Sequence, residues 1–303
     1  MALDFNGRVA IVTGAGGGLG RQHALALAAR GAKVLVNDLG GARDGSGGGI
    51  SAAQAVVDEI VAAGGRAIAN GASVTDPAAV QAMVAQAIAA WGRVDILVNN
   101  AGILRDKSFA KITLVDFRLV LDVHLMGAVH CTQAVWPHMV AQRYGRVVLT
   151  TSSSGLFGNF GQSNYGAAKM ALVGLMQTLS IEGAKHDIRV NCLAPTAATR
   201  MTEDLLPPDM LAVLRPEAVV PALLVLASAD APNRAIACAG AGSFSLAHLT
   251  LTHGVHLGVG DDVPERLAQA WAQAADRTGD SVPASGAAQG GQEIQMAMAA
   301  RRG

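Results

Sequence analysis

Residues 9–20 read VAIVTGAGGGLG, and the fold follows from how this stretch is interpreted. Val9, Ala10, Ile11 and Val12 form a nearly continuous apolar run, as a strand does when both faces of its sheet are covered. Gly14, Gly18 and Gly20 follow at once, and the Ala/Leu-rich segment GLGRQHALALAARG continues as a helix. Glycine permits a sharp turn and close approach of the backbone, while a helix amino terminus offers free N–H groups and partial positive charge. A glycine turn alone is only a turn. With a strand before it and a helix after it, this one fits the pyrophosphate of a dinucleotide.

Outward from this stretch the pattern repeats. The strand-like runs KVLVND, RAIAN, VDILVNNAG, GRVVLTTSSS and IRVNCLAP alternate with helical ISAAQAVVDEIVAAGG, DPAAVQAMVAQAIAAWG, and longer helical regions near residues 108–142 and 163–186. Such alternation predicts an α/β protein with a single doubly wound, Rossmann-type parallel sheet of six to seven strands, helices on both faces and right-handed crossovers. No Pro/Ser-rich linker interrupts the first 260 residues, so residues 1–275 are expected to form one dinucleotide-binding domain. Residues 276–303, rich in Gly, Ala, Ser and Gln, are expected to be an extension that is flexible or docked on the surface.

Composition narrows the function. Of 303 residues 51 % are hydrophobic but only 4 % aromatic, so the core must be built from Ala, Val, Leu and Ile. Equal numbers of basic and acidic residues, 23 of each, remove the electrostatic reason to expect a nucleic-acid or membrane-surface partner. Cys131, Cys192 and Cys238 are odd in number and dispersed, matching neither a disulfide framework nor a CxxC metal site. The N-terminus lacks a signal-peptide pattern and no apolar run reaches membrane-spanning length, so a cytoplasmic protein is expected.

Asp38 ends the run KVLVND, eighteen residues beyond Gly20. A carboxylate there can accept hydrogen bonds from ribose hydroxyls and repel a 2′-phosphate, which favours NAD over NADP; the alternative is a turn cap. Gly17, before Gly18, supplies no basic side chain. The glycine-rich segment LGGARDGSGGGI, residues 39–50, is either a flexible loop or a cover for the adenosine end of the cofactor.

TGAGGGLG, NNAG at 99–102, Ser152, and YGAAK with Tyr165 and Lys169 together resemble the short-chain dehydrogenase/reductase superfamily, over roughly residues 6–240. The resemblance implies Ser152, Tyr165 and Lys169 as catalytic residues. It also implies cofactor contacts from Gly14, Gly17, Gly18, Leu19, Gly20, Asp38, Ser73, Val74, Asn100, Ala101, Gly102, Tyr165, Lys169 and Pro195. Tyr165 and Lys169, four apart on a helix, share a face, so the ammonium is expected to pull the phenol down from its usual value of about 10. His124 stands where the superfamily often has Asn and is either part of a proton relay or a packed imidazole. Thr196, after Pro195, replaces a frequent Gly.

VNDLGG, NNAGILRDKSF, DVHLMG, SGLFGNFGQSNYGAAK, GAGSFSLAHLTLT and PERLAQAW narrow the resemblance to the (3R)-hydroxyacyl-CoA dehydrogenase unit of peroxisomal multifunctional enzymes, also described as a 17β-hydroxysteroid dehydrogenase. That implies NAD-dependent oxidation of a 3-hydroxyacyl-CoA or a steroid, by a homodimer or homotetramer. Without hydratase or sterol-carrier regions or a peroxisomal SKL end, a free-standing bacterial-type enzyme is expected. A carrier-protein reductase or an idle NAD-binding protein are the more distant alternatives. TRMTEDLLPPDM, residues 199–210, is expected to cover the substrate, with Met201, Leu205, Leu206 and Met210 facing inward. His248, His253 and His256 carry a metal-site reading that no Cys or carboxylate cluster completes, so no metal is expected.

Overall fold

The structure, a computed structural model, describes residues 3–42, 44–198 and 207–302. Its strands are β1 (Val9–Thr13), β2 (Lys33–Asn37), β3 (Arg66–Asn70), β4 (Ile96–Asn99), β5 (Gly145–Thr150), β6 (Ile188–Thr196), β7 (Ile236–Gly240) and β8 (Ser243–Ala247). They form one sheet in the order β3-β2-β1-β4-β5-β6-β7-β8, and β1 to β7 pair in parallel. The eighth strand exceeds the six to seven expected. It follows β7 across only Ala241 and Gly242, both at positive φ (50° and 74°), a turn that builds an antiparallel hairpin. Its sequence SFSLA is largely exposed and has none of the continuous apolar character of the buried strands.

Helices cover both faces, as the alternation predicts. Alternate strand residues Ala10, Val12, Val34, Val36, Ile96 and Val98 pack with α1 (Gly18–Ala29), α2 (Ser51–Ala62) and α9 (Val220–Ala227) in one core. On the other face lie α3 (Pro77–Trp91), α5 (Gly127–Gln142) and α7 (Ser163–Gly183), against β1, β4, β5 and β6. The expected helix near 108–142 is broken: α4 (Leu114–Leu121) passes through a π-helical turn, Asp122–Met126, before α5 begins. Two short helices, α6 (Ser153–Phe157) and α8 (Pro208–Val213), complete this part of the chain.

The two ends of the sheet differ in chemistry. At the amino ends of the strands polar groups are locked together. The fully buried Asp95 carboxylate pairs with Arg8 at 3.1 Å and Arg93 at 2.5 Å and accepts from the Val9 N–H at 2.9 Å. Tyr144 lies between the guanidinium groups of Arg8 and Arg146, 3.7 and 4.1 Å from its ring centre. The carboxyl ends of β1, β2, β4, β5 and β6 carry Thr13, Asp38, Asn100, Ser152 and Pro195 instead, within two residues of each strand's end.

The chain divides into two compact units at Leu246 and Ala247, earlier than the expected boundary at residue 275. Within the second unit are α10 (Val263–Gln269), α11 (Trp271–Ala274) and α12 (Ala287–Ala300). Leu251 and Ser281 form an antiparallel bridge, and Gln292 on α12 donates to the carbonyls of Thr252 and His253 at 2.8 and 2.9 Å. The last residues are therefore hydrogen-bonded into the same unit as residues 251–253. Composition misses this because its low complexity hides three specific hydrogen-bonded contacts. Among the described residues no helix is long and apolar enough to cross a membrane.

Removing the Asp95 carboxylate leaves two guanidinium groups and the Val9 N–H without their shared acceptor. Asp95→Ala is expected to lower unfolding free energy by about 2–3 kcal/mol, below the fully buried limit because both arginines are partly exposed. Urea unfolding checks this.

Candidate active site

Strand order reverses between β1 and β4, opening a crevice at their carboxyl ends. Gly14 has φ 61°, and a Cβ there would lie 2.7 Å from the Ala101 Cα; at Gly20 it would lie 2.2 Å from the Gly14 carbonyl. Gly18 also has positive φ, 51°, and Gly17 begins α1 without any side-chain cap, leaving the first-turn N–H groups available to an anion. By contrast, Asp76 caps α3 through the N–H groups of Ala78 and Ala79. Leu19 is half-buried against the core and anchors that first turn.

Asn100 and Ala101 hold the loop in shape. The Asn100 amide donates to the Thr13 and Gly14 carbonyls, both at 3.0 Å, and Thr13 Oγ1 accepts from the N–H groups of Asn100 and Ala101 at 3.0 and 3.1 Å. Both hydrogens of the Asn100 amide are engaged, so its side chain acts by shaping the glycine turn. Asp38 Oδ2 accepts from Gly16 N at 2.7 Å and Oδ1 from Gly40 N at 2.6 Å. These bonds fix the carboxylate and leave lone pairs for a ribose diol. Gly16 escaped the sequence reading: a Cβ there would meet the Asp38 carboxylate at 2.8 Å and Ala52 at 2.7 Å. Its signal was the unbroken glycine run facing the acidic end of the second strand.

Ser73 and Val74 follow β3, where the Val74 carbonyl accepts from His130 Nδ1 at 2.9 Å. Pro195 lies in β6 opposite Ala239, and Thr196 opposite Gly240, where a Cβ would lie 2.7 Å from the Thr196 carbonyl. Uncapped helix, glycine cradle and oriented carboxylate together fit NAD(H).

Ser152 leaves β5 and caps α6, its Oγ accepting from Ser154 N at 3.1 Å. Its hydroxyl also lies on the phenol side, where it favours ionisation of Tyr165. One turn along α7, the buried Lys169 donates from Nζ to the Thr150 carbonyl at 2.5 Å, 5.5 Å from the Tyr165 ring centre. Burial pulls Lys169 down to about 7 and pushes Tyr165 above its usual value, with the Ser152 hydroxyl opposing the latter. The expected lowering of the phenol by Lys169 is therefore not found. The ammonium is directed at a carbonyl rather than the phenol oxygen, and removal of water dominates both groups.

His124 sits in the π-helical turn, which aims its ring into the protein. Nε2 lies 2.8 Å from the Ile103 carbonyl and 3.1 Å from the Ile103 N, and the ring meets Tyr165 edge-on at 5.2 Å. Nδ1 has no hydrogen-bond partner among the described residues. Burial, reinforced by Lys169, pulls His124 down to about 3, so at neutral pH it is an uncharged, packed imidazole. The packed imidazole, one of the two expected roles, matches this burial, and a relay would have to run through the neutral ring. Gly102 has a packing reason of its own: a Cβ there would lie 2.3 Å from His124 Cε1.

The expected covering segment lies mostly outside the described residues, which omit 199–206; Met210, on α8, is exposed. Among the described residues no group of three or more His, Cys, Asp or Glu could hold a metal ion.

Ser152, Tyr165 and the lysine behind it, beside a dinucleotide crevice, are the arrangement of an oxidoreductase. The chain belongs to the short chain dehydrogenase family, which it matches over residues 8–208. It is 49 % identical, over 91 % of its length and 96 % of the other's, to a putative short-chain type dehydrogenase/reductase of Mycobacterium tuberculosis. It is 56 % identical over 224 residues to the peroxisomal hydratase-dehydrogenase-epimerase of Saccharomyces cerevisiae, covering 74 % of this chain but only 25 % of that protein. The chain thus spans about a quarter of the yeast relative. Among solved structures, a 7α-hydroxysteroid dehydrogenase complexed with NADH and 7-oxo glycochenodeoxycholic acid superposes with TM-score 0.71 at 31 % identity, over 79 % of this chain and 95 % of that one.

Two outcomes follow. In the wild type, Lys169 is lowered relative to its unfolded value of 10.5, so between about 7 and 10.5 the unfolded chain holds more protons and stability rises with pH. The penalty for the buried charge is complete below pH 7 and fades above it. The stability difference between Lys169→Met and wild type, from urea unfolding at a series of pH values, is therefore expected to shift in the wild type's favour from pH 7 to pH 10. Separately, Asp38→Ser removes the charge that opposes a 2′-phosphate, and the ratio of NAD to NADP affinities is expected to fall by about tenfold, measured by titration calorimetry.

Proposed function

We propose that the protein oxidises the hydroxyl of a 3-hydroxyacyl-CoA to the 3-oxo thioester, with NAD as acceptor. The observation that carries the reading is Lys169, buried behind the Tyr165 ring and bonded to the Thr150 carbonyl, with Ser152 at the end of β5 beside the phenol. When bound, NAD supplies the acceptor for the hydride from the carbinol carbon. Ser152 holds the substrate oxygen, and Tyr165, once its phenol has released a proton to water, takes the proton of that hydroxyl, or as the phenol returns one in the reverse direction. Lys169, near half protonation at neutral pH, can take up or release a proton behind the phenol. Gly14, Gly18, Gly20 and the uncapped α1 receive the pyrophosphate, and Asp38 the adenosine ribose.

The thioester substrate is supported by the resemblance of the site segments to the hydroxyacyl-CoA dehydrogenase unit and by the yeast relative, whose name joins a hydratase to a dehydrogenase. A secondary alcohol made by hydrating an enoyl thioester is the natural input to this chemistry. Free steroid alcohols are the second reading, favoured by the match to a hydroxysteroid dehydrogenase. A homodimer or homotetramer belongs to the reading, supported by exposed Phe109, Leu114 and Val115 around the start of α4.

The test is initial-rate NADH formation against (3R)- and (3S)-hydroxyacyl-CoA esters, a steroid side-chain CoA ester and free 17β-hydroxysteroids. A CoA ester is expected to be preferred by at least about tenfold in kcat/KM; preference for a free steroid transfers the function to steroid oxidation. Tyr165→Phe is expected to lower kcat by about 10³-fold with NADH still bound, measured in the same assay and by NADH fluorescence.

A further inference from the structure

The described residues of the glycine-rich segment, 39–42 and 44–50, are hydrogen-bonded rather than loose. Gly40 N donates to Asp38 Oδ1 at 2.6 Å and Gly49 N to the Leu39 carbonyl at 2.6 Å, closing the base. At the tip, Ala42 N donates to the Ser46 carbonyl at 2.7 Å, and Asp44 Oδ1 accepts from the N–H and hydroxyl of Ser46 at 3.0 and 2.7 Å. The segment begins at the carboxylate that faces the cofactor crevice.

Its tip is held by a residue that no site reading assigned. Arg105 Nε donates to the Asp44 carbonyl at 2.9 Å, and Nη1 reaches Asp116 on α4 at 3.2 Å. The Arg105 carbonyl accepts from Asn164 Nδ2 at 3.1 Å, and the buried Asn164 accepts the Tyr165 N–H at 2.8 Å. Gly45 lies beside this anchor at φ 86°; a Cβ there would sit 3.3 Å from Ile103, whose backbone meets His124. Between the tip and residues 104–106 runs a cleft of about 410 Å³, lined by Ala42, Asp44, Ser46, Leu104 and Asp106. One residue thus ties the turn that carries Asp38, through its side chain, to the segment that carries Tyr165, through its backbone carbonyl and Asn164.

We infer that Arg105 is a positioning residue: it holds the glycine segment closed beside Asp38 and couples that closure to the placement of Tyr165. The inference rests on the NAD reading of the crevice but not on the identity of the substrate. Arg105 is about one-third exposed at its side chain, and a surface ion pair of this kind adds little to global stability. Its loss should therefore appear in cofactor binding and local order rather than in folding.

Three variants of the full-length protein test this: Arg105→Met, Arg105→Lys and Gly45→Val, the last loosening the same contact from the glycine side. The readouts are the NADH dissociation constant, hydrogen exchange of amides 40–49, and kcat and KM for both substrates. Arg105→Met and Gly45→Val are expected to weaken NADH binding about fivefold, the scale of one net hydrogen bond, to speed exchange at 40–49 and to lower kcat. Arg105→Lys, with one flexible donor in place of a fork, is expected to fall between them and wild type. NADH affinity within about twofold of wild type and unchanged exchange in Arg105→Met and Gly45→Val would overturn the inference. If those effects appear while the wild type turns over no thioester, only the substrate reading fails; if the wild type binds no NADH, both fail.

Discussion

The amine of Lys169, withdrawn from water behind Tyr165 and bonded to the Thr150 carbonyl, is the constraint around which the site is arranged. That bond draws α7 onto the end of β5, and a second, from Thr151 Oγ1 to the Lys169 carbonyl at 2.7 Å, fixes the helix from the other side. The approach is close enough that a Cβ on Gly155 would lie 2.8 Å from Lys169 Cβ. Ser152, between these two contacts and α6, is left facing the phenol. Desolvation then sets the chemistry of both partners: the lysine gives up its proton more readily than usual and the tyrosine less readily.

A parallel sheet separates support from function. Its amino ends are cross-linked by Asp95, Arg8, Arg93 and the Tyr144 stack, groups that are mutually satisfied and closed to ligands. Its carboxyl ends present turns whose N–H groups and carboxylate remain available, because the strand order diverges there. His124 belongs to neither class. It is an uncharged imidazole that meets Tyr165 edge-on and is itself accommodated by the missing side chain of Gly102.

Much of this was legible in the sequence because its signals are local. Nearly continuous apolar runs identify buried parallel strands, and the glycine turn between strand and helix, with Asp38 beyond it, identifies the crevice. The Ser152, Tyr165 and Lys169 spacing likewise needs only one strand end and one helix. What was missed depends on distant partners. Gly16 matters because Asp38 comes to meet it, and Arg105 because Asp44 and Asn164 do. β8 was hidden by its exposed, alternating sequence, and the unit boundary at Leu246 by contacts such as Gln292 with Thr252. The direction of the Tyr165 shift was misjudged for the same reason: spacing shows that Lys169 is near, and only the fold shows that its charge is turned to a carbonyl and stripped of water.

The central claim, that burial controls this pair, is tested most directly by titrating the Lys169 amine in the cofactor-free protein by NMR of isotope-labelled lysine, with Lys169→Arg to assign the signal. The account predicts a titration at about 7, far below the ordinary 10.5. A midpoint near 10.5 would contradict it, since the amine would then be solvated and the arrangement behind Tyr165 would not be the one described.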